Sequence, residues 1–215
     1  QAPAPPRQAT AGAAPSPPAP LGHFACSPDA PTSIDLWTIG PGADLYERFG
    51  HTAIGVCGGG TAGRVYNYGS TDFSQPNLVY AFVTGEASFW LGVEDVRVAE
   101  RVYREADRDV HVSRLALSPV RAQELAASLA AEAADRSGSS YRYHHFADNC
   151  ATRARDRLDA ASDGALRRAI SSWPPAPSFR ERAVAGFADA GWLLLGIDLL
   201  LGRPADRQPS AWENL

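Results

Sequence analysis

Phe146-Ala-Asp-Asn-Cys150-Ala-Thr-Arg-Ala-Arg-Asp156 places a cysteine at the first residue of a predicted helix, directly after two residues suited to cap it. A thiol in that position feels the positive end of the helix dipole and the unpaired backbone N–H groups of the first turn, and both favour thiolate over thiol. Cys150 is therefore a candidate nucleophile. The competing reading is a small buried cysteine with no chemistry, since free cysteine is among the most buried residue types. Asp148 and Asn149 are the two candidate caps, and the helix is expected to run from Cys150 to about Ala160.

Working outward, the chain has 215 residues, 45% hydrophobic and 20% charged, with a net charge of -4. That is one globular domain of ordinary composition plus a tail. A slightly acidic chain without a Lys/Arg cluster lacks the concentrated basic face that phosphate backbones require, so no nucleic-acid partner is expected. Residues 1–30 are Ala/Pro-rich and carry few large apolar side chains, which predicts a tether, with the folded domain over 31–215. The chain contains no Met and opens Gln-Ala-Pro-Ala-Pro-Pro, the expected look of a segment left after an export signal is removed. In an exported protein Cys26 and Cys57 can pair and leave Cys150 free, although so few cysteines suit a reducing compartment nearly as well. Cys26 follows no apolar run and does not read as a lipid-attachment site. The apolar run Gly191–Gly202 contains Asp198 and falls short of the roughly twenty residues a spanning helix needs. Its Trp192 and leucines are expected either in the core or against a membrane surface or a downstream segment.

The rest of the chain alternates elements. A strand is expected from Ser33 to Ile39, a helical turn at 43–48, a strand from His51 to Cys57, a glycine loop taking in Gly58–Gly60 and Gly63, and a return strand from Arg64 to Tyr68. Residues 76–84 are helical or irregular, 87–93 a weak strand, 98–107 a helix and 109–117 a strand. Ser118-Pro119 then starts a helix to about Arg136 with Leu125 and Leu129 on one face. After an extended Tyr141–Tyr143 and the Cys150 helix come a helix near 166–171 and a longer one from Ser178 into the apolar run.

A thiol nucleophile needs a base and a third polar group that holds the base in the right tautomer. His51 opens one strand and Asn67 lies on its predicted neighbour, where an amide carbonyl can accept the imidazole's far N–H; Asp72 is the rival for that third role. His144 and His145 precede the cysteine helix, but adjacent residues of a strand point to opposite faces, so at most one can share the site. His23 sits in the tether and His111 on an ordinary strand. No Cys-x-x-Cys or His-x-x-x-His pattern occurs, and neither a metal nor another cofactor is expected. Arg153 and Arg155 are candidates for holding a phosphate or carboxylate, or else pair with Asp156 and Asp159.

Phe49-Gly-His-Thr-Ala-Ile54, Val65-Tyr-Asn-Tyr-Gly-Ser-Thr-Asp-Phe73 with Pro76-Asn77, and Asp148–Asp156 together resemble the N-terminal periplasmic domain of the Lnb-type bacterial lipoprotein N-acyltransferases. The order of an early His and a late Asn-Cys also resembles circularly permuted papain-like enzymes, among them the lecithin:retinol acyltransferase group. The resemblance runs from about Ile34 to Asn214. It implies an α+β, circularly permuted papain-like domain in which a small antiparallel sheet packs with helices and the cysteine sits at a helix N-terminus. It further implies Cys150 as nucleophile, His51 as base and Asn67 in a third position that retinol-acyltransferase-like members usually fill with His. Phospholipid would be the acyl donor, the α-amine of a lipoprotein the acceptor, and the membrane surface of the periplasm the setting, with a membrane portion following the domain. A fatty chain then calls for an apolar channel beside Cys150, for which Phe89, Trp90, Trp192 and Leu193–Leu195 are candidate walls. The rival function is an NlpC-type thiol amidase or peptidase acting on cell-wall peptides, and a non-enzymatic binding domain is the third reading.

Overall fold

In a computed structural model of the chain, Ser33–Ile39 forms β1, whose alternation buries both of its faces. The structure describes residues 26–72, 74–174, 176–188, 191, 194, 196 and 201–215, apart from the side chains of Leu45, Val79 and Val83. Ile34 and Leu36 point to one side of the strand, Trp37 and Ile39 to the other. A 3-10 turn at Leu45–Glu47 leads into β2 (His51–Gly58) and β3 (Thr61–Ser70). Then come α1 (Leu78–Thr84), β4 (Ser88–Asp95), α2 (Val96–Glu105) and β5 (Val110–Arg114). The last third holds α3 (Pro119–Ala134), β6 (Tyr141–Arg142), α4 (Cys150–Ala161), α5 (Ala165–Ile170) and α6 (Phe179–Gly186). The fold is α+β: a six-stranded antiparallel sheet in the order β5-β1-β2-β3-β4-β6 with helices on both faces.

One face packs under α3 and α4 through Ile34, Ile54, Tyr66, Phe89, Leu125, Leu129 and Leu158. The other packs under α2 through Trp37, Ile39, Ala53, Val65, Val96 and Ala99. Gly55 makes the second face possible, because a Cβ there would come within 2.5 Å of the Trp37 indole nitrogen. Asp35, only 1% exposed, is met by Arg114 directly across the β1–β5 pair.

Cys26 and Cys57 form a disulfide, so the chain is anchored to the end of β2 before β1 begins. The amides of Gly59 and Gly60 reinforce the anchor by donating to Ala30 and Pro28 carbonyls at 2.8 and 2.9 Å. The tether expected over 1–30 lies outside the described residues except for this attached stretch from Cys26.

Several boundaries differ from the sequence expectation for identifiable reasons. Gly63 lies inside β3 at φ +111, where a Cβ would strike Val96 at 2.7 Å, so the hairpin loop is shorter than its glycines imply. α2 starts two residues before the expected Val98, because the Asp95 carboxylate accepts from the Arg97 N–H at 2.9 Å and caps it there. β5 stops at Arg114, since β1 supplies its last partner near Ile34. α6 ends at Gly186 rather than continuing into the apolar run, and Gly191 beyond it has φ +52. Most of that run, including Trp192, Leu193 and Leu195, lies outside the described residues. Among the described residues no helix is long and apolar enough to cross a membrane.

Candidate active site

Asn149 is the cap that α4 uses. Its side-chain oxygen accepts from the Ala151 and Thr152 amides at 2.9 and 3.0 Å, while the Thr152 hydroxyl accepts from the Asn149 N–H at 2.9 Å, closing a reciprocal capping box. The other half of the Asn149 amide donates to the His145 carbonyl at 2.9 Å. Asp148, the rival cap, instead takes a two-pronged ion pair with Arg153 at 2.5 and 2.9 Å. These contacts fix the first turn of α4, which packs against β2 and β3 with Cys150 half-buried as its first residue.

His51 meets it as the first residue of β2. Gly50 precedes it at φ +74, where a Cβ would press within 2.6 Å of the Ile39 carbonyl, so only glycine brings the chain into the strand at this angle. Gly69 gives the imidazole room, since a Cβ there would stand 3.0 Å from His51 Cε1. His51 Nε2 lies 3.0 Å from Asn67 Oδ1, and the ring is also hydrogen-bonded to Cys150. With Nε2 committed to Asn67, the nitrogen facing the thiol is Nδ1.

Burial pushes the Cys150 thiol up, but the charge and hydrogen bond of His51, with the backbone N–H groups of Thr52 and Ala151, outweigh it and hold the thiol below its ordinary range. His51 moves the opposite way. Burial pulls it down, yet attraction to the Cys150 thiolate and the bonds to Cys150 and Asn67 leave it raised above an ordinary imidazole. The two shifts run in opposite directions because the charged form of each group favours that of the other, so the two titrations are coupled.

A further layer, absent from the sequence reading, surrounds Asn67, which is 5% exposed. Its Nδ2 donates to Glu94 Oε1 at 3.5 Å, and the Tyr103 hydroxyl donates to its Oδ1 at 3.3 Å. Arg108 lies over the Tyr103 ring at 5.6 Å, donates to the Gly40 carbonyl at 2.9 Å and pairs with Glu47 at 2.8 Å. Arg108 thus ties the loop that leads to His51 onto the end of α2. Strand parity was the available signal for Glu94: in the β3–β4 register Asn67 faces Gly92, which has no side chain, and Glu94 is the next residue on the same face. Nothing local marked Tyr103, which reads as an apolar position of α2.

Of the remaining candidates, Phe89 shares an apolar cluster with Cys150, while the polar ones bond elsewhere. Asp72 is exposed and accepts from the Ser74 amide and hydroxyl at 3.1 and 2.6 Å. Trp90 alternates with core-facing Phe89 and Leu91, so it turns away from them and lies under Arg136 at 3.6 Å. There it lines a shallow depression of about 520 Å³ with Ser88, Asp135 and Ser140, whose lining does not include Cys150. Arg153 stacks on Tyr141 at 3.6 Å while paired with Asp148, and Arg155 pairs with Asp156 and donates to the Trp212 carbonyl at 2.7 Å. Of the expected channel walls, Phe89 packs with Phe82, Tyr143 and Cys150 around the apolar core, and Leu194 is half-buried. His144 accepts from the Phe146 and Ala147 amides at 3.2 and 3.1 Å, and His145 meets Phe82 edge-on at 4.6 Å, so both rings are engaged elsewhere.

The fold is an α+β domain in which a cysteine on the first residue of a helix meets a strand histidine whose Nε2 lies beside a buried asparagine. The chain belongs to the family of the Lnb N-terminal periplasmic domain, which matches residues 25–182. That family places the protein in the periplasm of the bacterial envelope, and the Cys26–Cys57 disulfide suits an oxidising compartment. No curated protein and no solved structure matches the chain.

Proposed function

We propose that this domain is a cysteine acyltransferase of circularly permuted papain-like architecture, which takes a fatty-acyl group from phospholipid and passes it to the N-terminal amine of a bacterial lipoprotein. The observation that carries the reading is the paired Cys150 and His51 with Asn67 behind them, in a chain of the Lnb family. The Cys150 thiolate attacks the ester carbonyl, and the N-terminal end of α4 faces the developing oxyanion. Collapse breaks the ester C–O bond, and the His51 imidazolium gives its proton to the departing glycerol oxygen, leaving an acyl-thioester and a lysophospholipid. The lipoprotein amine then attacks the thioester. His51 takes the amine proton and the thiolate is expelled, which restores the starting pair. Asn67 keeps the imidazole in place through both halves, touching neither substrate. The site works at the membrane surface, where both substrates reside.

The acyl-enzyme is directly measurable. All 20 basic residues are arginines, so no lysine amine within the chain can draw the acyl group off the thiol. Incubation with phospholipid vesicles followed by mass spectrometry should find one fatty-acyl mass on Cys150, removed by neutral hydroxylamine. Release of peptides from peptidoglycan, with no acyl mass ever appearing on Cys150, refutes transfer in favour of an NlpC-type amidase using the same thiol and imidazole.

A further inference from the structure

We infer that Glu94 is a positioning residue: by accepting from Asn67 Nδ2 it fixes the orientation of that amide, and the amide in turn selects the His51 tautomer able to take a proton from Cys150. The inference rests on reading Cys150 as the nucleophile and concerns what makes His51 a base.

An asparagine amide is nearly symmetric in shape, and its two ends are distinguished only by what they bond. With Oδ1 toward His51, as found at 3.0 Å, the ring must carry its proton on Nε2, which leaves Nδ1 with a lone pair facing the thiol. With the amide turned over, Nδ2 would face Nε2, the ring proton would move to Nδ1, and no base would remain opposite Cys150. Something must choose between the two. The Tyr103 hydroxyl, 3.3 Å from Oδ1, cannot, because a hydroxyl both donates and accepts and fits either orientation. A carboxylate only accepts. Glu94 Oε1, half-buried and 3.5 Å from Nδ2, would face Oδ1 if the amide turned, opposing two acceptors. Asn67 is 5% exposed, so water does not stand in for the missing donor. The sheet register supplies the geometry: Gly92 opposite Asn67 leaves that position without a side chain, and Glu94 reaches the amide from the next place on the same face of β4.

Glu94→Gln tests this directly. It keeps size and shape, yet offers either a donor or an acceptor and so removes the choice. In a Cys150→Ser background, where no thiolate biases the ring, the imidazole ¹⁵N shifts of neutral His51 should report the Nε2–H form with Glu94 and a mixture with an Nδ1–H fraction after Glu94→Gln. With Cys150 present, Glu94→Gln should slow alkylation of the thiol by iodoacetamide about tenfold or more at neutral pH, at an unchanged melting temperature. An Nδ1–H ring in the protein that retains Glu94, or an unmixed Nε2–H ring after Glu94→Gln, overturns the inference while leaving the nucleophile reading intact. A Cys150 that alkylates no faster than free cysteine in the unaltered protein overturns the nucleophile reading itself.

Discussion

The two faces of the sheet are built differently although they share the same strands. Under α3 and α4 the residues are mostly apolar, with Ile34, Ile54, Leu91 and Leu129 all at most 1% exposed, and a polar group among them, the Tyr68 hydroxyl, is met by Glu132 and Arg157. Under α2 a smaller apolar cluster around Trp37 gives way to a polar run in which Asn67 and Arg108 are buried and Glu94 and Tyr103 half-buried. Burying polar groups costs free energy unless each finds a partner, so such a run adds less stability than the leucines it displaces. What it contributes is direction. The apolar face holds α4 against the sheet and so delivers Cys150, and the polar face sets the angle and protonation of His51. The site lies at the start of β2, where a side chain from each face can meet.

The largest effects should separate the two jobs. Cys150→Ala should remove turnover entirely, and His51→Ala should lower it by roughly 10²-fold to 10⁴-fold, both with unchanged circular dichroism, because the pair acts as one unit and neither carries much core. Leu129→Ala, on the apolar face, should do the reverse: a loss of about 2–5 kcal/mol in denaturant unfolding with the reactivity of the remaining folded protein intact. A His51→Ala variant that keeps its turnover while folded removes His51 from the mechanism.

The charge pair predicts a pH window next. Alkylation requires thiolate, so its rate falls only as pH drops through the lowered Cys150 value, and fast labelling persists well below the ordinary thiol range. Turnover also needs the imidazolium as acid, which is lost as pH rises through the raised His51 value. The two shifts move toward each other, so the thiol reacts at lower pH, and the imidazole stays protonated to higher pH, than either would alone. In His51→Ala the largest opposing influence on the thiol is gone and burial prevails, so the labelling curve should shift to higher pH. A curve that does not move shows the thiol is lowered by α4 and its amides alone.

A smaller effect, on stability alone, is expected at the far end of β2. Reducing Cys26–Cys57 opens a link spanning 31 residues and should cost about 2–4 kcal/mol. It lies at the opposite end of the strand from His51, so the labelling rate of Cys150 should change little while the melting temperature falls. A large loss of Cys150 reactivity on mild reduction would mean that the anchor reaches the site through β2.

Much of this arrangement is legible in the sequence where a local rule decides. The Gly-rich turn before β3, Pro119 at the start of α3, and Asn149 three residues before Thr152 each carry their own signal, because turns and caps depend on adjacent residues. His51 and Asn67 could be placed side by side because a hairpin fixes which residues pair. Glu94 could not, since its role depends on the register of a third strand and on Gly92 being empty. Trp90 reads as a channel wall because a fatty chain calls for apolar neighbours, but alternation along β4 turns it away from Phe89 and Leu91, which share the apolar cluster with Cys150, and it lies under Arg136. From the sequence Arg153 is expected to hold an anion or to pair with Asp156 or Asp159 along the helix; it pairs instead with Asp148, which sits outside the helix at a spacing no helical rule anticipates.

The smallest expected effect is the most selective, because it sets the two candidates for the orienting role against each other. Asp72 is charged, and on charge alone it is the better partner for an imidazolium. In the structure its carboxylate is exposed and satisfied by Ser74, which also holds it below the usual carboxylate range, whereas Asn67 is buried and 3.0 Å from the ring. An exposed charge is screened by water and salt, so a neutral amide in contact outweighs it. Asp72→Ala should accordingly change turnover and the Cys150 labelling curve by less than about twofold, since exposed substitutions away from such contacts seldom matter. Asn67→Ala should cost more than that and less than His51→Ala, because it loosens the imidazole without removing it. If Asp72→Ala proves the more damaging of the two, the turn at Ser74 must open during turnover and bring the carboxylate to His51, and the orienting role passes from the polar face of the sheet to that loop.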